Sequence, residues 1–430
     1  MTKVAVLDLQ SSKECLNQVE PSDFKSGTKK HGNHFVCYVI FIKIQQFSEN
    51  QDMDGFDRNT VVLRTMMRLM GLWPETIDTA NETSRYKNYA FVMTMIVGFV
   101  LLPQILVLLL NENDFTTILS ILNTSICSFT LVTAKLIEMQ YHHYVYKGLL
   151  RKVRSDWELS TPAQRVVIEK NYRICKRVFY YFVIEVSIAL QLIVVNVFGI
   201  LYSYGFNNYT DRYLRTELLM PVKTDYIVDV SSSPIFEIVW LLQYCALVIG
   251  AVAYIISDAF IEILLSHVYA QLENLREDLK NMDFSRPEQD VSAMIKNVVK
   301  RYVSYRKFMD QIQENAGLVY LLEIFIYTLL ICFEGYMVVV ELTTTKNFIN
   351  MGFVLLYMST NLLTLYTLCY FSQKLMNVNE AISSAIYETE WYKLAPRQAK
   401  LLLMTMREST RPFEFTAGGM ITFSHESYVK

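Results

Sequence analysis

Residues 235–279 read IFEIVWLLQYCALVIGAVAYIISDAFIEILLSHVYAQLENLREDL. From Ile235 to Ser257 the only charged residue is Glu237, near the start. A helix needs about 20 consecutive apolar residues to cross a bilayer, and a buried helix of a soluble protein rarely has that many. This stretch therefore predicts a membrane-spanning helix. The apolar pattern does not stop there. Ile261, Leu264, Leu265, Val268, Leu272, Leu275 and Leu279 follow at spacings of mostly three and four, one face of a continuing helix. A helix that spans the bilayer and then projects from it organises the rest of the chain.

Five further runs are of the same kind: about Tyr89–Leu110, Phe115–Met139, Phe179–Ser203, Gly317–Val340 and Phe348–Phe371, which makes Ile235–Ser257 the fourth span of six. Phe35–Ile44 is only ten residues long, contains Lys43 and is too short to span. Amphipathic stripes also precede span five (Val298, Val299, Val303, Phe308, Ile312) and follow span six (Leu375, Val378, Ile382, Ile386). Helices that emerge on one side of a membrane bury such stripes against one another, so a cytosolic bundle is preferred over helices lying flat on lipid.

Lys and Arg are retained on the cytoplasmic side of short loops. The segment after span two holds nine cations between Lys147 and Arg177, and that between spans four and five holds eight between Arg276 and Lys307. The turn Asn111–Asp114 has none, and the segment between spans three and four has only Arg212, Arg215 and Lys223. The alternation places the N-terminus inside, opposite to a G-protein-coupled receptor. The predicted fold is an all-α integral membrane protein with six to seven transmembrane helices, a cytoplasmic N-terminus and cytosolic extensions of helices 4 to 6.

The 430 residues are 52% hydrophobic and 13% aromatic, with net charge −2 and no long basic run, which argues against nucleic acid as a partner. No paired histidines at metal spacing, phosphate-cradling glycines or nucleophile–base sets are present, so neither an enzyme nor a cofactor is expected. His142-His143 are adjacent on a helix and point apart. Lys135 is read as snorkelling to the inner surface, and Glu237 and Asp258 as helix-end residues. Glu323 and Glu334, eleven apart, share a face of span five and are candidates to line a wet path. Asn208-Tyr209-Thr210 in the second outer loop is a glycosylation acceptor at Asn208. Toward the outer halves of spans three, four and six, Asn196, Phe198, Tyr202, Trp240, Tyr244 and Tyr357 offer apolar walls with a few polar groups, which suits a small volatile ligand.

The chain resembles the insect odorant receptors over about Asn59–Gly418. Met70-Gly71-Leu72-Trp73-Pro74 is similar to a signature of that family ahead of span one. Ser233-Pro234 with Glu237, Trp240 and Gln243 looks like the start of its fourth span, and His267 with Ala270-Gln271 like the extension beyond it. Ala385-Ile386-Tyr387, Trp391-Tyr392, Arg397–Arg407, Pro412 and Thr416-Ala417-Gly418 look like its C-terminal region. The resemblance implies a tuning subunit that binds small volatile ligands and gates a non-selective cation channel, in a hetero-tetramer with the odorant co-receptor, in the plasma membrane of olfactory neurons. The rival readings are a gustatory receptor channel and a small-molecule membrane transporter. The family's seventh span would begin after Thr416-Ala417-Gly418, but Gly419–Lys430 at about 1.5 Å per residue reaches about 18 Å, short of a hydrocarbon core of about 30 Å. The expected organisation is a variable cytosolic segment (1–58), transmembrane helices 1 to 4 (59–258), a cytosolic helical extension (259–316), helices 5 and 6 (317–372), cytosolic anchor helices (373–415) and a truncated seventh-helix remnant (416–430).

Overall fold

The stretch quoted above folds as one uninterrupted helix over Ile235–Lys280. A computed structural model describes residues 55–74, 82–110, 115–204, 214–222, 224, 230–284, 287–345 and 348–429. The apolar run Phe35–Ile44 and the acceptor Asn208 lie outside these residues.

In chain order the helices are α1 (Gly55–Leu69), α2 (Glu82–Leu110), α3 (Phe115–Ile121 continuing to Tyr141), α4 (His143–Leu159), α5 (Pro162–Tyr204), α6 (Ile235–Lys280), α7 (Glu288–Val340), α8 (Phe348–Glu388), α9 (Pro396–Ser409) and α10 (His425–Val429). Both α2 and α3 pass through a single π-helical turn, at Val97–Leu101 and Leu122–Ile126. In α2 that turn precedes Pro103, which has no N–H to donate and whose ring crowds the carbonyl of Phe99.

Among the described residues, five helices are long and apolar enough to cross a membrane: α2, α5, α6, α7 and α8. The expected second span, α3, stands outside these five; it is helical throughout but buries Asn123, Ser125 and Lys135. The bundle does not cover its spans evenly: 6% of the apolar window of α5 is buried, against 22–44% in the other four.

The stripes predicted for the extensions are all inside, apart from Val299 and the exposed Val303. Leu264, Leu265, Val268, Leu272, Leu275 and Leu279 of α6, Val298, Phe308 and Ile312 of α7, and Leu375, Val378, Ile382 and Ile386 of α8 are each buried. They form a second core continuous with the spans. Extensions were expected on helices 4 to 6 alone. The third span is extended too, because Pro162–Tyr204 is helical throughout, and α4 takes up much of what was read as a basic loop.

Residues 416–430, expected as a helical remnant, instead begin with a two-stranded antiparallel hairpin, β1 (Thr416–Ala417) with β2 (Ile421–Thr422), followed by the five-residue α10. Gly418 and Gly419 both have positive φ (58° and 71°), which favours a tight hairpin turn over a helix. The segment is strapped to the bundle. Gly418 N–H donates to the Gly317 carbonyl at 2.8 Å, and Gln313 both donates to and accepts from the Thr416 backbone at 2.7 Å. Phe415 and Phe423 stack 5.5 Å apart and meet the Tyr320 ring edge-on at 5.0 and 6.1 Å.

Candidate ligand site and the polar core beneath it

At the end of the bundle away from the extensions, the C-terminal turns of α5 meet the start of α6 and a π-helical loop, Leu214–Leu219. Leu201, Leu219 and Phe236 form a small buried cluster, with Val197, Ile200 and Trp240 packed against it. Trp240 donates from Nε1 to the Leu219 carbonyl at 2.9 Å and stacks on Tyr244, one turn along, with centroids 5.5 Å apart and planes at 8°. Gln243 donates to Thr224 Oγ1 at 2.5 Å. Arg215 holds the loop down: it donates to the Ser231 carbonyl at 2.8 Å, lies 3.6 Å from the Glu237 carboxylate and covers the Phe236 ring at 5.2 Å. The loop thus folds over the aromatic pair.

Trp240 and Tyr244 are half-buried and adjacent, as a ligand wall requires. Tyr357 on α8 is also half-buried; it hydrogen-bonds Ser128 of α3 and stacks on Phe353 at 6.2 Å. Asn196 is half-buried on α5. Phe198 and Tyr202 are different: they are 59% and 82% exposed. Val197 and Leu201 take the inward positions of that turn, and one residue is about 100° of rotation on a helix. Side chains one position on therefore face outward.

Deeper toward the extensions, α6 carries Gly250, Tyr254 and Asp258 at spacings of four along one face. A Cβ on Gly250 would lie 2.3 Å from the Phe129 ring of α3, so the two helices meet at a contact only glycine allows. Below it, Lys135 Nζ of α3 sits 2.5 Å from Asp258 Oδ1 of α6 and 2.6 Å from Glu323 Oε1 of α7, and all three residues are buried. Tyr320 donates to Asp258 at 3.1 Å and Tyr327 to Glu323 at 2.5 Å, while Tyr254 bonds Tyr327 at 2.6 Å and Thr364 of α8 at 3.1 Å. Lys135 Nζ also faces the rings of Tyr254 and Tyr320, at 5.4 and 5.1 Å. A buried ion group is tolerable only when its members pair and hydrogen-bond in this way.

This constellation was not foreseen. Lys135 does not snorkel to a surface and Asp258 does not end a helix; they neutralise one another across 123 residues of chain. The signal was present, since Lys135 is a lone cation within an apolar run and Asp258 and Glu323 lie at the same ends of their own runs, but pairing them requires knowing which helices touch. Glu334 also turns inward, accepting from Asn361 of α8 at 2.7 Å.

A second polar junction lies in the extensions. His267 of α6 is fully buried; its Nε2 is 3.2 Å from Asp156 of α4 and its Nδ1 3.1 Å from the Tyr172 hydroxyl of α5. Burial opposes ionisation of Asp156, but His267 and then Lys152, 2.6 Å away, outweigh it and hold the carboxyl below its usual range. At the start of α4, His143 takes the opposite course: burial, with the cations Arg85 and Lys147 beside it, pushes its imidazole down to about 4. Among the described residues no group of histidine, cysteine and acidic side chains is placed to hold a metal ion.

A family model described as the 7tm odorant receptor matches residues 114–430. The chain is 22% identical over 265 residues to odorant receptor 49a of Drosophila melanogaster, covering 61% of this chain and 64% of that one. It is 19% identical over 375 residues to odorant receptor 94a of the same fly, covering 85% and 92%. The match to 49a thus spans less than two thirds of that relative. The olfactory receptor OR5 of Machilis hrabei, solved in complex with eugenol, superposes with a TM-score of 0.72 at 15% identity, covering 90% of this chain and 94% of that one. At that identity the likeness is one of fold.

Proposed function

The chain belongs to the 7tm odorant receptor family, and we propose that it is the ligand-tuning subunit of an odorant-gated, non-selective cation channel completed by the odorant co-receptor. The observation that carries the ligand half of this reading is the stacked Trp240–Tyr244 pair, half-buried at the head of α6 beneath the Leu214–Leu219 loop. Two aromatic faces with the Gln243 amide beside them suit a small, largely apolar molecule with one polar handle. Eugenol, bound in the Machilis receptor, has that character. Tyr357 and Asn196 are proposed as further wall residues, while the exposure of Phe198 and Tyr202 favours contacts outside the bundle.

The extension core of α6, α7 and α8 supports a cytosolic anchor through which subunits assemble. The loop charges support placing that anchor and the N-terminus in the cytoplasm, with Asn208 on the outer side as a glycan acceptor. On this reading 1–58 is the variable cytosolic segment, and the polar core of Lys135, Asp258 and Glu323 lies at the inner end of the spans.

The test is odorant-evoked current from this chain co-expressed with the odorant co-receptor, using a panel of small volatile aromatics that includes eugenol. The expected result is a dose-dependent inward current whose half-maximal concentration rises at least tenfold in Trp240→Ala and Tyr244→Ala. Unchanged dose responses in both variants would sink the pocket. Absence of any current, while a related receptor responds with the same co-receptor, would sink the channel reading.

A further inference from the structure

Of the five spanning helices α5 has the least covered apolar window, and one stripe runs along its outward face. Lys170, Arg173, Arg177, Tyr181, Ile184, Ile188, Val195 and Tyr202 follow at intervals of three, four or seven and are all exposed. At about 100° per residue they fall within an arc of about 80°. The stripe changes chemistry along its length: three cations, then a tyrosine, then branched aliphatics, then a second tyrosine.

The spacing matches a bilayer. Tyr181 and Tyr202 are 21 residues apart, which at about 1.5 Å per residue is about 30 Å, the thickness of a hydrocarbon core. Tyrosines mark the two interfaces of membrane proteins because the ring is apolar and the hydroxyl is wet. Arg177 then lies one turn beyond the interface, in the headgroup layer, with Arg173 and Lys170 one and two turns further out.

These cations differ from their neighbours. In the same region Lys152 pairs with Asp156 at 2.6 Å, Arg276 with Glu273 at 2.8 Å and Arg301 with Asp278 at 2.5 Å, whereas Arg173 and Arg177 each donate to the backbone carbonyl one turn back, of Glu169 and Arg173, at 3.4 Å. Glu169, the acid next to the row, lies 3.9 Å from Arg58. Among the described residues none of Lys170, Arg173 and Arg177 meets a carboxylate. A row of cations without a carboxylate partner, ending one turn from the start of an apolar stripe, is complementary to one molecule that carries both an anionic head and acyl chains.

We infer that Lys170, Arg173 and Arg177 of α5 form a binding site for the headgroup of an anionic phospholipid in the adjoining leaflet, whose acyl chains lie along the half of the stripe next to Arg177, past Tyr181, Ile184 and Ile188. The site rests on the chain being a membrane protein and not on odorant gating, so it stands or falls without reference to any current. It also accounts for the outward placement of Tyr202, as an interfacial anchor.

The test uses the purified full chain in neutral detergent, titrated with phosphatidylserine carrying a fluorescent acyl chain and, in parallel, with equally labelled phosphatidylcholine. Wild-type protein should bind phosphatidylserine at least tenfold more tightly, and K170Q/R173Q/R177Q should lose that preference. Single R173Q and R177Q variants should each weaken binding severalfold, which keeps the test informative if the triple variant folds poorly. R397Q/K400Q/R407Q removes the same charge from the exposed face of α9 and should leave the preference intact. An equal loss in that control, or no loss in the α5 variants, would overturn the site in favour of diffuse attraction by net charge.

Discussion

Lys135 of α3 and Glu323 of α7 stand 188 residues apart in the chain, yet their charged groups meet at 2.6 Å with neither exposed to solvent. Asp258 completes the group from α6. Three helices are thereby locked at one depth, and the tyrosine chain carries the lock to α8 through Thr364 and, through Tyr320, to the C-terminal strap.

Removing the cation alone leaves two carboxylates buried without their counter-charge, a change that costs about 3–5 kcal/mol in comparable sites. Lys135→Met is therefore expected to lower the thermal midpoint of the detergent-solubilised protein sharply. The neutral set K135M/D258N/E323Q should recover most of the loss, because no charge remains to be desolvated. A triple variant no more stable than the single one would show that packing around Lys135, not charge, is what matters.

Gly250 sets how closely α3 and α6 approach. Gly250→Ala places a methyl group 2.3 Å from the Phe129 ring, and overpacking of this kind costs about 1–3 kcal/mol. Stability by fluorescence-detected size exclusion should fall in G250A and return in part in G250A/F129L. If G250A is as stable as wild type, the helices separate more easily than this contact implies.

The strap is fastened by Arg306 of α7, which donates to the carbonyls of Glu408, Arg411 and Pro412 at 3.2, 2.8 and 2.8 Å and covers the Phe413 ring at 4.1 Å. Those carbonyls close α9 and begin the strap. Arg306→Ala should make residues 409–424 the earliest site of limited proteolysis. Arg306→Lys should rescue poorly, since an ammonium group cannot reproduce the planar fork of donors. Protection equal to wild type in R306K would show that charge alone suffices.

His143 supplies a pH dependence with a definite sign. Its imidazole is held down at about 4, with Nδ1 3.0 Å from Arg85 Nη1, so the folded protein keeps it neutral while the unfolded chain takes up a proton near the usual histidine value of about 6.5. The unfolded state then binds more protons, and stability falls as pH drops from about 6.5 toward 4. Asp156, held below its usual range, adds its own loss only at more acidic pH, below about 4. The thermal midpoint of wild-type protein should fall more steeply between pH 7 and 5 than that of His143→Asn. Parallel slopes would remove His143 as the origin.

Local pattern was enough for five of the six expected spans and for the projecting helices α6, α7 and α8, while the family was legible from scattered motifs; the extension of α5 was missed. Apolar length and the three-and-four spacing of Leu264 through Leu279 depend only on neighbours in the chain, and a bilayer reads them without reference to the rest of the fold. The Gly418-Gly419 turn was visible as a phrase but read as the approach to a helix, because its positive φ angles are set by the Phe415–Phe423 stack and the bond to Gly317. Nor could periodicity say which way Phe198 and Tyr202 point. Val197 and Leu201 are as apolar as they are, and the choice of inward face fell to Leu219 and Phe236, from a loop and another helix.

The amino-acid sequence by itself determined that this is a multi-pass helical membrane protein, since burial in lipid and helical periodicity are properties of contiguous residues, and its short motifs carried the resemblance to the odorant receptor family. Only the tertiary structure decided that Lys135, Asp258 and Glu323 are one group, that Trp240 and Tyr244 sit under a loop while Tyr202 looks outward, and that the cationic row of α5 meets no carboxylate among the described residues. The reason is physical: a charge is snorkelling, bonded or free according to what stands within about 4 Å of it, and that neighbour is chosen by how helices pack, not by where residues fall along the chain.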